Sequence, residues 1–288
     1  MNPLPAVRVR GLTKRYPNGT LALAGIDLDV DPGECVALLG PNGAGKTSTI
    51  EVLEGHRSRD GGEVDVLGKD PATAGLAWRA RLGIVLQEAT DAADLSVREA
   101  VRHFALYHLD ARDPDEVIAL VGLEGSARQR IRALSGGQRR RLDVALGILG
   151  RPELLFLDEP TTGFDPEARR HFWDLVRGVQ AEGTTILLTT HYLDEAAALA
   201  DRVAVVVGGR VVETSTPSTL GGRLRLGATV HWSESGSARV ERTDRPGDLV
   251  RHLLARPELL VDGELPGLEV HRPTLEDAYL ALVDGVRR

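Results

Sequence analysis

Short apolar runs, separated by polar turns, recur along the first two thirds of the chain. Residues 26–30 (IDLDV) alternate between apolar and polar positions, as a strand with one buried face does. Three further runs have an apolar centre, and the first of them is nearly continuously apolar, which is typical of parallel strands that are covered on both faces. These runs are 34–40 (ECVALLG), 154–158 (LLFLD) and 184–190 (TTILLTT).

Helical patterns fill the intervals between these runs. Ser96 followed by Glu99 matches a capping box, and Pro114 stands at the first position of a second predicted helix. Residues 138–149 and 167–180 are predicted to form helices as well. The alternation of strands and helices predicts an α/β core with a mainly parallel sheet.

The character of the sequence changes towards the carboxyl end. Residues 202–214 predict a hairpin that turns at a Gly-Gly pair. From 219 to 288, charges of both signs, glycines and prolines are mixed and strand signals are few, although residues 273–283 (PTLEDAYLALV) predict a closing helix. We therefore predict a main domain, residues 1–218, and a small C-terminal appendage, residues 219–288.

Composition narrows the class of protein. With 288 residues and 42% hydrophobic content, the chain can bury a large core. A net charge of −7, without a long Lys/Arg run, does not favour a nucleic-acid partner, and none is expected.

The single cysteine, Cys35, excludes an intrachain disulfide and lies in an apolar run, which predicts a buried thiol. The sequence shows neither a signal-peptide pattern nor a charge-free apolar run of roughly 18–20 residues. We therefore expect a soluble intracellular chain. If the protein works at a membrane, another chain must supply the membrane-spanning part.

The segment GPNGAGKT, residues 40–47, fits the pattern G-x-x-x-x-G-K-[ST] between a predicted strand and a predicted helix. Glycines allow successive backbone N–H groups to surround phosphate oxygens, and the following helix directs its positive end at them. Lys46 would contact the β- and γ-phosphates, and the Thr47 hydroxyl would ligate Mg²⁺. The sequence therefore predicts a phosphate-binding loop, in which the candidate nucleotide contacts are Asn42, Gly43, Gly45, Lys46, Thr47 and Ser48.

An acidic pair follows the apolar run LLFLD. Asp158 ends this run and can hold Mg²⁺, directly or through water. Glu159 comes next and, by strand alternation, is expected to point to the other side of the chain, where it could act as a general base towards water. Such a pair is common after buried strands, and the phosphate-binding loop upstream is what makes it a candidate catalytic motif.

The pentapeptide LSGGQ, residues 134–138, lies about twenty residues before Asp158 and precedes a predicted helix. Ser135 is a candidate N-cap, and the two glycines would leave the helix N-terminus open to a second anion. Together with the loop and LLFLDEP, this segment resembles the signature of ABC ATPases. The resemblance implies that Ser135, Gly137 and Gln138 cover the γ-phosphate of ATP bound to the opposite subunit, so that a second copy of the chain is needed.

Other family motifs follow in order. The resemblance implies that Gln87 contacts Mg²⁺ and the attacking water, that His191 contacts the γ-phosphate and that Tyr16 stacks on adenine. Asp165 matches the D-loop aspartate, and Phe164 before it stands where leucine is more usual. The implied fold is a P-loop NTPase of the ABC type, α/β with a mainly parallel central sheet. It has an N-terminal antiparallel β subdomain, a helical subdomain at about 88–145 and a small α+β appendage.

The closing segment PTLEDAYLALV resembles the ATPase subunits of the daunorubicin-type branch of exporters. The implied function is ATP hydrolysis that drives export of a drug, natural product or lipid, although an importer ATPase would share every catalytic residue. A separate integral-membrane permease would hold the chain at the inner face of the cell membrane. The permease would meet the chain near Gln87 and residues 88–96.

Other functions remain open from the residues alone. One is a soluble ABC protein acting on ribosomes or DNA, although neither a second ATPase domain nor a coiled-coil or zinc-bearing insertion is seen. Another is a small-molecule kinase or other P-loop enzyme, for which the LSGGQ segment has no use. A third is a module that no longer hydrolyses nucleotide, against which Glu159 and His191 argue.

Overall fold

A computed structural model describes residues 4–85, 93–221, 227–234, 236–271 and 274–287. The chain divides into two compact units, Met1–Pro217 and Ser218–Arg288. Among the described residues, no helix has the length and apolar character needed to cross a membrane.

The strands of the described residues are numbered in chain order. They are β1 (Val7–Arg15), β2 (Leu21–Val30), β3 (Cys35–Leu39), β4 (Gly61–Val66), β5 (Leu82–Val85), β6 (Leu154–Asp158), β7 (Thr185–Thr190), β8 (Arg202–Val207), β9 (Arg210–Ser215), β10 (Ala228–Glu234), β11 (Ser237–Thr243) and β12 (Glu269–His271). The α-helices are α1 (Lys46–Leu53), α2 (Leu76–Arg79), α3 (Val97–Ala105), α4 (Pro114–Leu120), α5 (Gly136–Ile148), α6 (Pro166–Ala181), α7 (Leu193–Leu199), α8 (Pro246–Leu254) and α9 (Leu275–Arg287).

The central sheet of the first unit confirms the predicted parallel core. Its order is β5-β6-β7-β3-β8-β9, and neighbours are parallel except for the β8–β9 hairpin. Every residue of β3, β6 and β7 is buried, as their continuous apolar runs predict. Because parallel strands end at the same edge of a sheet, the segments that follow β3, β6 and β7 converge there.

A second sheet in this unit has the order β2-β1-β4 and is antiparallel. Its inward side chains, including Val9 and Leu28, share one apolar cluster with Val36 and Phe156 of the central sheet. The predicted antiparallel β region therefore packs on the parallel core and brings the turn after β1 towards the loop after β3.

Local capping signals were informative about helix starts. Ser96 and Glu99 form the predicted capping box at α3, and Pro114 is the first residue of α4. Helix α5 begins with a second capping box, formed by Ser135 and Gln138. Helices α3, α4 and α5 contact one another, in agreement with the predicted helical character of this region.

The second unit contains more strand than the sequence suggested. Strands β11, β10 and β12 form an antiparallel sheet, and Val230, Trp232 and Leu253 belong to its small apolar cluster. Strand β11 (SARVERT) was not predicted, because almost all of its residues are exposed and its polar character hides the alternation. Helix α9 agrees with the predicted closing helix, apart from residue 273, which lies outside the described residues.

Candidate active site

The segment after β3 is a tightly constrained loop that leads directly into α1. Gly43 and Gly45 have φ values of 78° and 106°, a left-handed region that favours glycine. A Cβ at Gly45 would lie 2.6 Å from the carbonyl oxygen of Ala22, so the fold leaves no room for a side chain there. The predicted strand, glycine-rich loop and helix are thus all present, with α1 beginning at Lys46.

Lys46 lies at the centre of this loop and is only 4% exposed. Its ammonium donates to the carbonyl oxygen of Gly40 at 2.8 Å and of Pro41 at 3.3 Å. The same nitrogen is 3.4 Å from Oε1 of Glu159. A buried cation held by backbone carbonyl oxygens beside the loop is well placed to bind a polyphosphate.

Asp158 ends β6 beside the first turn of α1. Its Oδ1 accepts from the Thr47 hydroxyl at 3.3 Å, and it also accepts from the hydroxyl of Thr189 on the adjacent strand β7. A buried carboxylate next to a hydroxyl is an oxygen-donor set that suits Mg²⁺, so Thr47 and Asp158 fit the predicted metal site. Thr189 was not predicted as a site residue, although its place two residues before His191, at the end of an apolar run, is a signal that could have indicated it.

Glu159 follows Asp158 in a left-handed conformation, with φ of 44°. Its N–H donates to the hydroxyl of Thr189 at 3.0 Å, and its carboxylate reaches both Lys46 and His191. The distance from Oε2 to Nδ1 of His191 is 3.3 Å. The expectation that Asp158 and Glu159 point to opposite sides was wrong, because the positive φ ends the strand alternation and turns both carboxylates towards the start of α1.

An aromatic residue stands at the other end of the loop. The hydroxyl of Tyr16 is 2.8 Å from the Ser48 hydroxyl, and the guanidinium of Arg57 lies over the Tyr16 ring, 4.9 Å from its centroid. A cleft of about 380 Å³ connects this ring to the loop. The predicted site residues that line this cleft are Tyr16, Asn42, Gly43, Gly45, Lys46, Thr47, Ser48 and Glu159.

The segment 134–138 is not part of the lining described for this cleft. The Ser135 hydroxyl accepts from the Gln138 N–H at 3.2 Å, and the Gln138 side chain accepts from the Ser135 N–H at 3.0 Å. In the described part of the chain, a Cβ added at Gly136 or Gly137 would meet no atom within 4 Å. The start of α5 is therefore an open helix N-terminus whose side-chain caps are already formed.

Two further predicted residues have different outcomes. Asp165 is the N-cap of α6, where its Oδ1 accepts from the N–H groups of Glu167 and Ala168 at 3.0 and 2.8 Å. Gln87 lies outside the described residues, so its assignment as a Mg²⁺ and water contact stays a prediction.

Known proteins resemble this chain over nearly its whole length. A family model described as ABC transporter matches residues 23–162. The daunorubicin resistance ATP-binding protein DrrA3 of Streptomyces coeruleorubidus is 38% identical over 310 residues, which cover 98% of this chain and 97% of the relative. The chain belongs to the ABC transporter family of ATP-binding subunits. A second relative of this ABC ATPase, the Nod factor export ATP-binding protein I of Cupriavidus pinatubonensis, is 35% identical over 97% of this chain and 92% of its own.

A solved structure supports the fold of the ABC ATPase. The ATP-binding subunit of an ABC transporter matches with a TM-score of 0.68 at 26% identity, covering 76% of this chain and 93% of that chain. These likenesses confirm the predicted fold class and the likeness to the daunorubicin-type branch. They support ATP hydrolysis coupled to transport, and the ribosome, DNA and kinase alternatives are not favoured.

The ABC ATPase has one more buried side chain at this site that the sequence analysis missed. Arg140, on α5, donates to the carbonyl oxygens of Asp158 and Pro160 at 2.6 and 3.1 Å. Burial lowers the pKa of its guanidinium, and the nearby carboxylates of Asp143 and Asp158 oppose that shift. In the sequence it is the second of three consecutive arginines, and no local pattern distinguishes it from the other two.

Proposed function

We propose that this ABC ATPase hydrolyses ATP to drive export of a drug, natural product or lipid through a separate membrane permease. The observation that carries the catalytic part is the position of the Glu159 carboxylate, between Lys46 and His191 and next to Asp158. Export is favoured by the names of the two relatives, which refer to daunorubicin resistance and to Nod factor export.

A small number of side chains carry out the proposed chemistry. Lys46 binds the β- and γ-phosphates, and Tyr16 offers the ring face not covered by Arg57 to the adenine. Thr47 and Asp158, with Gln87, hold Mg²⁺, which when bound supplies positive charge beside the phosphoryl group. Glu159 accepts a proton from the attacking water, and His191, whose Nδ1 lies 3.3 Å from the Glu159 carboxylate, contacts the γ-phosphate.

Two copies of the chain would complete each site. The open helix N-terminus at Ser135, Gly137 and Gln138 can meet a γ-phosphate that is bound to the partner's loop, and Asp165 would lie at the same junction. Because ATP would then contact both copies only in the closed dimer, ATP binding favours closure and hydrolysis reverses it. This cycle would move the permease, which we place at the inner face of the cell membrane.

The domain assignment belongs to the same proposal. Residues 1–218 would form the nucleotide-binding domain, with the helical subdomain at about 88–145 and residues 88–96 facing the permease. Residues 219–288 would form the appendage. The boundary is close to the division of the chain after Pro217.

The catalytic assignment is tested by the Glu159→Gln variant of the full chain. We expect kcat for ATP hydrolysis to fall by about 10²- to 10³-fold, because a general base typically contributes that much, while nucleotide binding persists. Glu63→Gln, at an exposed carboxylate on β4, is the control and should hydrolyse ATP like the unaltered chain. Unchanged hydrolysis in Glu159→Gln would contradict the role of Glu159.

The transport assignment is tested by purifying the chain from its own cells in mild detergent and identifying its partners by mass spectrometry. We expect a multi-span membrane protein at about equal amounts. Recovery of ribosomes or DNA-repair proteins instead would contradict the transport proposal and leave the ATPase assignment standing.

A further inference from the structure

Arg140 connects two parts of the molecule that the proposed mechanism uses separately. It lies five positions after Ser135 on α5, the helix whose N-terminus carries the signature segment. Its side chain is 9% exposed and extends to the segment that follows β6. There its Nη2 and Nε donate to the carbonyl oxygens of Asp158 and Pro160 at 2.6 and 3.1 Å.

These two carbonyl groups stand on either side of Glu159. Glu159 itself has φ of 44°, a conformation that residues with a Cβ adopt rarely, so neighbouring groups must hold its backbone in place. Thr189 holds the peptide from one side, because its hydroxyl accepts the Glu159 N–H. Arg140 holds the flanking carbonyl groups from the side of α5.

The geometry of these bonds fixes the orientation of the Arg140 side chain relative to the backbone around Glu159. A guanidinium presents several N–H groups in a fixed plane, so two bonds to two carbonyl oxygens set both the distance and the angle between α5 and this peptide. A small rotation or shift of α5 would therefore be passed to the backbone of Glu159. The carboxylate of Glu159 would in turn move relative to Lys46 and His191.

We propose that Arg140 is a positioning residue that ties the catalytic orientation of Glu159 to the helix headed by Ser135. The inference rests on the proposed function, in which that helix N-terminus meets the ATP of the partner subunit. The general base of one ATP site would then be held by the helix that closes the other site. Engagement of one ATP would promote hydrolysis of the second, which predicts positive cooperativity in ATP.

The test uses the full chain and a matched pair of substitutions. Arg141, the next residue on α5, also donates to two backbone carbonyl oxygens, those of Val121 and Gly122, at 3.5 and 3.0 Å. Arg140→Ala and Arg141→Ala thus each remove side-chain bonds from the same helix to backbone carbonyl oxygens, but of these bonds only those of Arg140 reach the residues that flank Glu159. We would measure kcat, KM, the Hill coefficient for ATP, thermal stability and binding of a fluorescent ATP analogue.

For Arg140→Ala we expect kcat to fall at least tenfold. KM and the affinity for the ATP analogue should stay within about twofold of the values for the unaltered chain, and the Hill coefficient should fall towards one. Arg141→Ala should keep kcat within about threefold and keep the Hill coefficient of the unaltered chain. Arg140→Gln, whose amide can still donate to a carbonyl oxygen, should recover part of the loss. A purely structural role would lower stability in both alanine variants without separating kcat from KM.

Equal kcat values for Arg140→Ala and Arg141→Ala would overturn the inference, as would a fall in analogue binding that accounts for the lost activity. If the alanine variants do not fold, Arg140→Gln compared with Arg141→Gln decides by the same criteria. If the unaltered chain shows no ATP hydrolysis, the proposed function fails first, and the inference falls with it.

Discussion

The loop at residues 40–47 and the signature segment at residues 134–138 are both glycine-rich and both lead into a helix, but the fold treats them differently. In the first, a side chain at Gly45 would collide with the backbone of Ala22, and Lys46 is buried among carbonyl oxygens. In the second, a side chain at Gly137 would meet no atom within 4 Å in the described part of the chain.

This difference separates glycines that the fold requires from glycines that it does not. Gly45 has a left-handed backbone and no space, so its identity follows from the structure of its own chain. Gly136 and Gly137 are in an ordinary helical turn where alanine would be a better helix former. We infer that their missing side chains serve a ligand or surface from outside the chain, which agrees with a site shared between two copies.

The largest effect is expected at Gly45. Gly45→Ala forces a left-handed residue with a Cβ into the carbonyl oxygen of Ala22, and we expect a loss of more than about 2 kcal/mol in the free energy of unfolding. ATP binding should disappear with the loop geometry. Chemical denaturation and titration with a fluorescent ATP analogue measure the two effects. A variant with normal stability and normal affinity would show that the loop is not constrained as described.

Gly137→Ala is the matched change in the signature segment. We expect stability to stay equal or to rise by up to about 1 kcal/mol, since alanine favours the helix. ATP hydrolysis should nevertheless fall by about 10²-fold, as when a preorganised donor to a transition state is lost, while binding of ATP to the monomer is kept. Unaltered hydrolysis would remove the functional reason for this glycine. A parallel loss of stability would show that the fold itself needs it.

A smaller effect, dependent on pH, is expected at Glu54, the buried residue that caps the C-terminus of α1. Burial and the charges of Glu51 and Asp158 raise the pKa of its carboxyl from 4.5 to about 7. Because the folded pKa lies above the unfolded one, its favourable contribution is fully present below about pH 4.5 and is lost as pH rises to about 7. Glu54→Gln should therefore unfold like the unaltered chain at pH 4.5 and be more stable at pH 8, by about 3 kcal/mol. Denaturation curves of both proteins at the two pH values provide the measurement, and an equal difference at both would contradict the assigned pKa.

The parts of the site that the sequence revealed are those with a local cause. The loop at residues 40–47 and the capping residues Ser96 and Ser135 act on neighbouring backbone groups, so a short stretch of sequence is enough to predict them. The fold class was predictable for a similar reason, since the continuous apolar runs of the buried strands are themselves local patterns.

The parts that were missed depend on pairing between distant segments. Thr189 acts because the register of β6 and β7 places it opposite Asp158, and Arg140 acts because its side chain reaches from α5 to the carbonyl oxygen of Asp158 at the end of β6. The conformation of Glu159 was also missed, because no local sequence pattern predicts a positive φ at a glutamate. Strand β11 was missed because its side chains face solvent on both sides.

The most direct test of the shared site compares two proteins, the Glu159→Gln chain and the same chain that also carries Gly137→Ala. The molar mass of each is measured by light scattering in the presence of ATP and Mg²⁺. We expect slow hydrolysis to trap the Glu159→Gln chain as a dimer with bound ATP. Addition of Gly137→Ala should leave a monomer that still binds nucleotide. A dimer of the same affinity in both proteins, or an ATP-loaded Glu159→Gln chain that stays monomeric at every concentration, would contradict the claim that the two glycine-rich segments meet across two copies of the chain.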